Sequence, residues 1–242
     1  IGPHKIININ AHRMSLGCTE EHRIPWKDVN KQGILRVSLS QERKHLFRTI
    51  AGGIFNNVWE PYAKTQACIM MQADGHISDK QVKFHFKKLR KIKRCKEILF
   101  QCGLEFKEVK YKDSSTRITV SDAPEWLKEA KFFGAWLFQH NPQIFYEEIF
   151  FWDGHGNDYI SAIKENAEWV VTMAHLNGKF ASCNKTKEGH WQTTVGNEKG
   201  GVVLKTDYSN GIIIDPVYCA QTIPGFFLVR HKNKICLTGN TG

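Results

Sequence analysis

The chain has 242 residues, 41% of them hydrophobic and 12% aromatic, which excludes a disordered polypeptide and leaves room for one large domain or two small ones. It carries no apolar run of about 18 residues and no secretory leader at its start, so a soluble chain with no membrane partner is expected. The seven cysteines (Cys18, Cys68, Cys95, Cys102, Cys183, Cys219, Cys236) include no CxxC pair. That argues against a zinc site or a disulfide framework and for a reducing, cytoplasmic setting. The formal net charge is +10, and thirteen Lys or Arg against four acids lie between Lys80 and Arg117, an electrostatic footprint for phosphate backbones.

In chain order, the first 45 residues hold short β-type runs, with Ile6, Ile7 and Ile9 prominent in KIININ. Gln66 to Gln72 reads as an apolar helix. Val82, Phe84 and Phe86 then alternate with Lys83, His85 and Lys87, the pattern of a half-buried strand with a basic outer face. Next, Leu89, Ile92, Cys95 and Leu99 stand at helical spacing, with Gly103 as the C-cap. Strands are predicted in 104–112 and 115–121, with Lys110 and Lys112 on one face. Pro124 to Phe133 reads as a helix capped by Asp122.

A second, less complete round follows. Pro142 to Trp152 reads as helix, Tyr159 to Ile163 as strand, and Asn166 to Leu176 as helix ahead of Gly178. A hairpin over 180–195 turns at Glu188 and Gly189. Trp152, Trp169 and Trp191 read as core residues. From about residue 203 the chain returns to Val, Ile, Phe and Tyr runs broken by Pro and Gly, again short strands.

Each round opens with a helix that ends in Asp-Gly, at Asp74-Gly75 and at Asp153-Gly154, 79 residues apart. A single Asp-Gly is a common turn; two of them, each after an apolar helix and before a strand, form a pattern. In this the chain resembles the LAGLIDADG homing endonucleases. The resemblance implies two helices side by side beneath a saddle of antiparallel strands, with Asp74 and Asp153 holding Mg²⁺ for DNA cleavage. It further implies that Lys83, Lys87, Lys110, Lys112 and Arg117 lie on double-stranded DNA, and that Lys112 helps to activate water. The chain departs from the family at Ile69 and Glu148, where small residues are usual, and at Gln72, which replaces an acid.

The flanks carry another signature. LGCTEEHRIPW contains Thr19-x-x-His22, PVYCAQTIPGFFLVR contains Cys219, and ICLTGNTG ends in Asn240 and Thr241. In this order the blocks resemble those of inteins. The resemblance implies that His22 and Thr19 polarise the N-terminal scissile amide, that Thr241 attacks to form a branched ester, and that Asn240 cyclises to release the joined flanks, with no cofactor for splicing. Cys219 reads as a small buried residue that assists proton transfer. Gly239 stands where histidine is usual, which leaves His231 or an unidentified group as the stand-in. No Cys or Ser nucleophile begins the chain, so splicing in trans with an N-terminal intein fragment is expected, with host (extein) segments as the other protein partners.

The sequence therefore predicts an α+β chain. An all-β Hint splicing domain of horseshoe form is built from both chain ends, residues 1–45 and 204–242, with an α/β saddle endonuclease inserted at 46–203. The rival readings are a free-standing homing endonuclease, and a catalytically inactive DNA-binding relative. A microbial or phage source is the expected setting.

Overall fold

A computed structural model describes residues 3–29, 35–53, 58–196, 201–214, 220, 222, 225–232 and 234–239. The chain is a mixed α+β protein of small antiparallel sheets, and it divides into two compact units. One comprises Ile1–Ile54, Gly178–Ser182 and Val195–Gly242; the other comprises Phe55–Asn177 and Cys183–Thr194. The junctions drawn from sequence at 46 and 203 fall inside the first unit, because Phe47 and Val203 pair across a sheet and are both buried in its core.

The first unit begins with β1 (His4–Ala11), β2 (Met14–Thr19), β3 (Arg23–Asp28), β4 (Leu35–Leu39) and β5 (Phe47–Arg48). In β1, Ile7, Ile9 and Ala11 alternate inward, so the KIININ run buries one face against Met14, Leu16 and Cys18 of β2.

The second unit follows in the predicted order. It runs α1 (Tyr62–Asp74), β6 (Gly75–Ser78), β7 (Gln81–Phe86), α2 (Leu89–Gln101), β8 (Lys107–Lys110), β9 (Thr116–Val120) and α3 (Glu125–Glu129). The second round is α4 (Pro142–Asp153), β10 (Gly154–His155), β11 (Asp158–Ser161), α5 (Lys164–Leu176), β12 (Phe180–Lys185) and β13 (Trp191–Gly196), with 180–182 of β12 and 195–196 of β13 assigned to the first unit. Two sheets result, ordered β6-β7-β9-β8 and β10-β11-β13-β12, each contributed by one round. The chain then adds β14 (Val202–Val203), β15 (Tyr208–Ile213), β16 (Phe226–His231) and β17 (Lys234–Gly239) to the first unit.

Helix α1 is buried without a break from Thr65 through Gln72, polar Thr65, Gln66 and Gln72 included, so it serves as the central helix of its unit. Helix α4 packs beside it and is started by Asn141, whose side chain accepts from the Gln143 N–H at 2.9 Å, with Pro142 in the first turn. Helix α2 is amphipathic: Ile92, Cys95, Ile98 and Leu99 face the core, while Leu89, expected inward, is exposed at the first turn. At its end Gly103 has φ +66°; its N–H reaches the Phe100 carbonyl and the Leu104 N–H the Leu99 carbonyl, closing a Schellman cap.

Two local expectations are corrected. Helix α3 is a single turn or so, with Pro124 rather than Asp122 at its cap position, because Pro124 is fixed in an extended conformation. Of the three tryptophans read as core, Trp152 is buried and Trp169 is partly buried against the same core, whereas Trp191 is partly exposed and faces the ammonium groups of Lys164 and Lys185.

Candidate functional site

Helices α1 and α4 stop in the same way. Gly75 and Gly154 take extended conformations (φ −79°, ψ 150° and φ −85°, ψ 153°), and each N–H closes the last turn on a carbonyl, Met71 and Phe150 respectively. A Cβ on Gly75 would lie 2.6 Å from the Met71 carbonyl oxygen, and one on Gly154 would lie 2.6 Å from the Phe150 Cα. Only glycine lets the strand leave so close to the helix end. Asp74 and Asp153 are the last helical residues of the two stops.

Their carboxylates converge on one cation. Lys91 Nζ on the first turn of α2 lies 2.5 Å from Asp74 Oδ2 and 3.9 Å from Asp153 Oδ1. The three side chains are 12%, 24% and 32% exposed, so the cluster opens to solvent only partly. Burial and the neighbouring Asp74 charge raise the Asp153 carboxyl, against the pull of Lys91 and Lys131. Lys131 donates to the Gln72 carbonyl at 3.1 Å; burial lowers its ammonium and the two aspartates raise it. Neither Lys91 nor Lys131 was singled out in the sequence. Nothing in a run of thirteen basic residues distinguishes the one that reaches Asp74 across 17 positions.

Lys112, the lysine expected beside the metals, lies instead in the turn between β8 and β9, exposed to solvent, because β8 ends at Lys110. It shares no strand face with Lys110. Lys110 pairs in register with Thr116, whose side chain is buried, so Lys110 leaves the opposite side of the sheet from Arg117 and approaches Glu108 at 4.0 Å. Lys87, just past β7, pairs with Asp113 at 3.5 Å.

Lys83 and Arg117 do project from one face, opposite buried Val82, Phe84 and Ile118. Register adds His76 and Lys107: His76 pairs with Lys83, and both Lys83 and Lys107 stand opposite Thr119. Tyr111 lies under the Arg117 guanidinium and against the His85 ring. The corresponding face of the second sheet, opposite buried Tyr159 and Thr193, carries His155, Asp158, Ile160, Gln192 and Thr194. One face is strongly basic and the other is nearly neutral.

The unusual Glu148 of α4 is buried between the helices. It accepts from Gln66 of α1, from Arg94 of α2 and from the Trp152 indole. Ile69 packs in the same core. Larger groups thus fill the helix contact where small ones were expected.

In the first unit, His22 Nε2 lies 2.5 Å from the Thr238 hydroxyl, and burial together with Arg23 lowers its imidazole pKa. The Thr19 hydroxyl is buried without a hydrogen-bond partner among the described residues. His231, one candidate for the role of the missing penultimate histidine, lies away from Gly239. It pairs with Lys234 at the turn of the β16–β17 hairpin, whereas Gly239 pairs with Phe226, five residues and roughly 17 Å along the strand. Its Nδ1 instead lies 2.9 Å from Ser15 Oγ. A Cβ on Gly239 would lie 2.9 Å from both Arg23 Cβ and Phe226 Cε1, so a side chain here would require those neighbours to shift. Cys219, Asn240 and Thr241 lie outside the described residues.

No family model matches the chain. It is 28% identical over 208 residues to the ribonucleoside-diphosphate reductase subunit beta of Aquifex aeolicus (strain VF5), a match covering 71% of this chain and 29% of that protein. Similar solved structures include I-DmoI in complex with DNA and Mn (TM-score 0.40, 12% identity, 56% of this chain and 91% of that one). They also include full-length DUF199/WhiA from Thermatoga maritima (TM-score 0.42, 11% identity, 59% of this chain and 54% of that one). The isolated N-terminal LAGLIDADG domain of DUF199/WhiA gives a TM-score of 0.40 at 9% identity, over 57% of this chain and 79% of that one.

Proposed function

We propose that the second unit is a DNA endonuclease of the LAGLIDADG kind, cutting phosphodiester bonds with divalent metal at Asp74 and Asp153. The observation that carries this reading is the convergence of two carboxylates, from equivalent ends of paired helices, on one point 2.5 Å and 3.9 Å away. Among the described residues no group of three or more His, Cys, Asp or Glu comes together. A cation here would therefore be held by the two aspartates, with water and phosphate oxygens completing the shell.

The donor set fits a hard cation. Two carboxylates are the oxygen ligands that such an ion prefers. A bound Mg²⁺ would supply Lewis-acid stabilisation of the charge that develops on phosphate oxygens. Asp74 and Asp153 would fix its position, and Lys131 would add positive charge beside them. Lys83, Arg117, Lys107 and His76 would neutralise backbone phosphates along the basic sheet face. Lys87, Lys110 and Lys112 add to the field at longer range.

Incubation with a randomised duplex library and Mg²⁺, followed by sequencing of the cut ends, tests the reading. A defined cut site that disappears in Asp74→Asn, with DNA binding retained, is the expected result. Cleavage unaffected by Asp74→Asn removes it.

A second reading concerns the first unit. We propose that it is the Hint-type part of an intein, with His22 and Thr19 serving acyl transfer and Asn240 and Thr241 supplying the cyclising amide and the branching hydroxyl. Its support is that His22 reaches Thr238, two residues before Asn240, while the Thr19 hydroxyl in the same block is buried without a partner among the described residues. A match confined to 29% of a longer reductase subunit is also what a segment carried within a host protein leaves. On this reading the flanking host segments belong to the protein that carries the insert, and the N-terminal intein fragment is the trans partner. Ligated flanks on a gel that vanish in Asn240→Ala support it. Ligation that survives this change overturns it.

A further inference from the structure

Resting on the endonuclease reading, we infer that Lys91 is the resident occupant of the cation position between Asp74 and Asp153, so that a divalent ion binds there only by displacing it. The ammonium touches Asp74 Oδ2 at 2.5 Å and stands 3.9 Å from Asp153 Oδ1, in the gap that a shared cation needs. Mg²⁺ binds carboxylate oxygen at about 2.0–2.1 Å. An ion that close to the same oxygens and an ammonium in the same gap repel one another.

Helix α2 itself is fixed against α4. Arg90 donates to the Phe151 carbonyl at 2.8 Å, Arg94 pairs with Glu148, and Lys91 Nζ lies 5.7 Å from the Trp152 ring centroid. Arg90 and Arg94 bracket Lys91 on the helix, so release of the site requires a side-chain movement and not a helix movement. The natural acceptor for the displaced ammonium is a DNA phosphate, whose arrival would empty the gap as the metal enters. Metal loading is then weak until nucleic acid is bound.

Mn²⁺ titration of the full chain without DNA, followed by electron paramagnetic resonance of the free ion, tests this. Removing a competitor raises apparent affinity by mass action, so Lys91→Met should bind Mn²⁺ about tenfold or more tighter than the parent, and Lys91→Met/Asp74→Asn should lose that gain. Because Lys91→Met bares two carboxylates, Lys91→Gln is measured beside it, with melting temperature as a second readout. Mn²⁺ should raise the melting temperature of both variants and leave the parent unchanged. Equal Mn²⁺ affinity in parent and Lys91 variants, lost in each on adding Asp74→Asn, overturns the occupancy of Lys91 and leaves the endonuclease reading standing. Mn²⁺ binding indifferent to Asp74→Asn in every background removes the metal site, and this inference with it.

Discussion

Gln66 of α1 donates its side-chain amide to the carboxylate of Glu148 on α4 at 2.5 Å, both residues being buried in the contact between the two central helices. Arg94 and the Trp152 indole share the same carboxylate. A buried acid is tolerable only when so fully paired.

Glu148→Ala should therefore be costly. It leaves the Gln66 amide and the Trp152 N–H without their acceptor and removes the main partner of the partly exposed Arg94, a loss of roughly 1–3 kcal/mol. Glu148→Gln keeps an acceptor and should cost less. Urea unfolding followed by tryptophan fluorescence orders the variants; an alanine variant as stable as the parent contradicts the network.

Gly75→Ala and Gly154→Ala should each destabilise the second unit by about 1–3 kcal/mol, as overpacking does. The added methyl would meet the backbone of Met71 or Phe150 at 2.6 Å, which cannot move aside without opening the last helical turn. Because Asp74 and Asp153 precede these glycines directly, the same changes should weaken Mn²⁺ binding in a Lys91→Met background. Serine at either position should behave like alanine, since the obstruction is at Cβ.

Much of this arrangement is legible in the sequence. The alternation of Val82, Phe84 and Phe86 announced β7 because one face of that strand is buried and the other is not, and a period of two survives without knowledge of any partner. The Asp-Gly pairs could be read for a similar reason, as local geometry dictates glycine. What could not be read depends on who meets whom. Lys91 looks like its basic neighbours until α2 is laid beside the helix ends, and Glu148 looks like a surface acid until Arg94 arrives from 54 positions away. Lys110 and Lys112 were misplaced because β8 ends between them, a boundary set by the turn through Asp113, whose side chain accepts from the Ser115 N–H at 3.1 Å.

His140 supplies a pH dependence. Burial lowers its pKa from 6.5 to about 4, and its Nδ1 lies 2.8 Å from the Thr65 hydroxyl. The unfolded chain thus binds the proton more readily, so this contribution to stability is complete above pH 6.5 and is lost as the pH falls toward 4. The melting temperature should decline across that window, and His140→Gln should flatten the decline. An equally steep decline in His140→Gln assigns the effect to other groups.

Lys83→Ala and Arg117→Ala should each weaken DNA binding and reduce the slope of log affinity against log salt by about one, the signature of a lost phosphate contact. Lys110→Ala, leaving the opposite side of the sheet beside Glu108, should change the slope less. Filter binding on a fixed duplex at several ionic strengths measures all three, and equal slopes for the three variants would contradict the assigned face.

The unequal sheets have a further consequence. A clamp whose two jaws matched in charge would grip a duplex equally well either way round. On the proposed reading one jaw presents Lys83, Lys107 and Arg117, while the other presents His155, Asp158, Gln192 and Thr194. On the proposed reading the two orientations differ in energy, and the complex acquires a direction along the DNA. Rising salt should loosen the charged jaw first, leaving contact at the end where recognition is by shape and hydrogen bonding and not by charge.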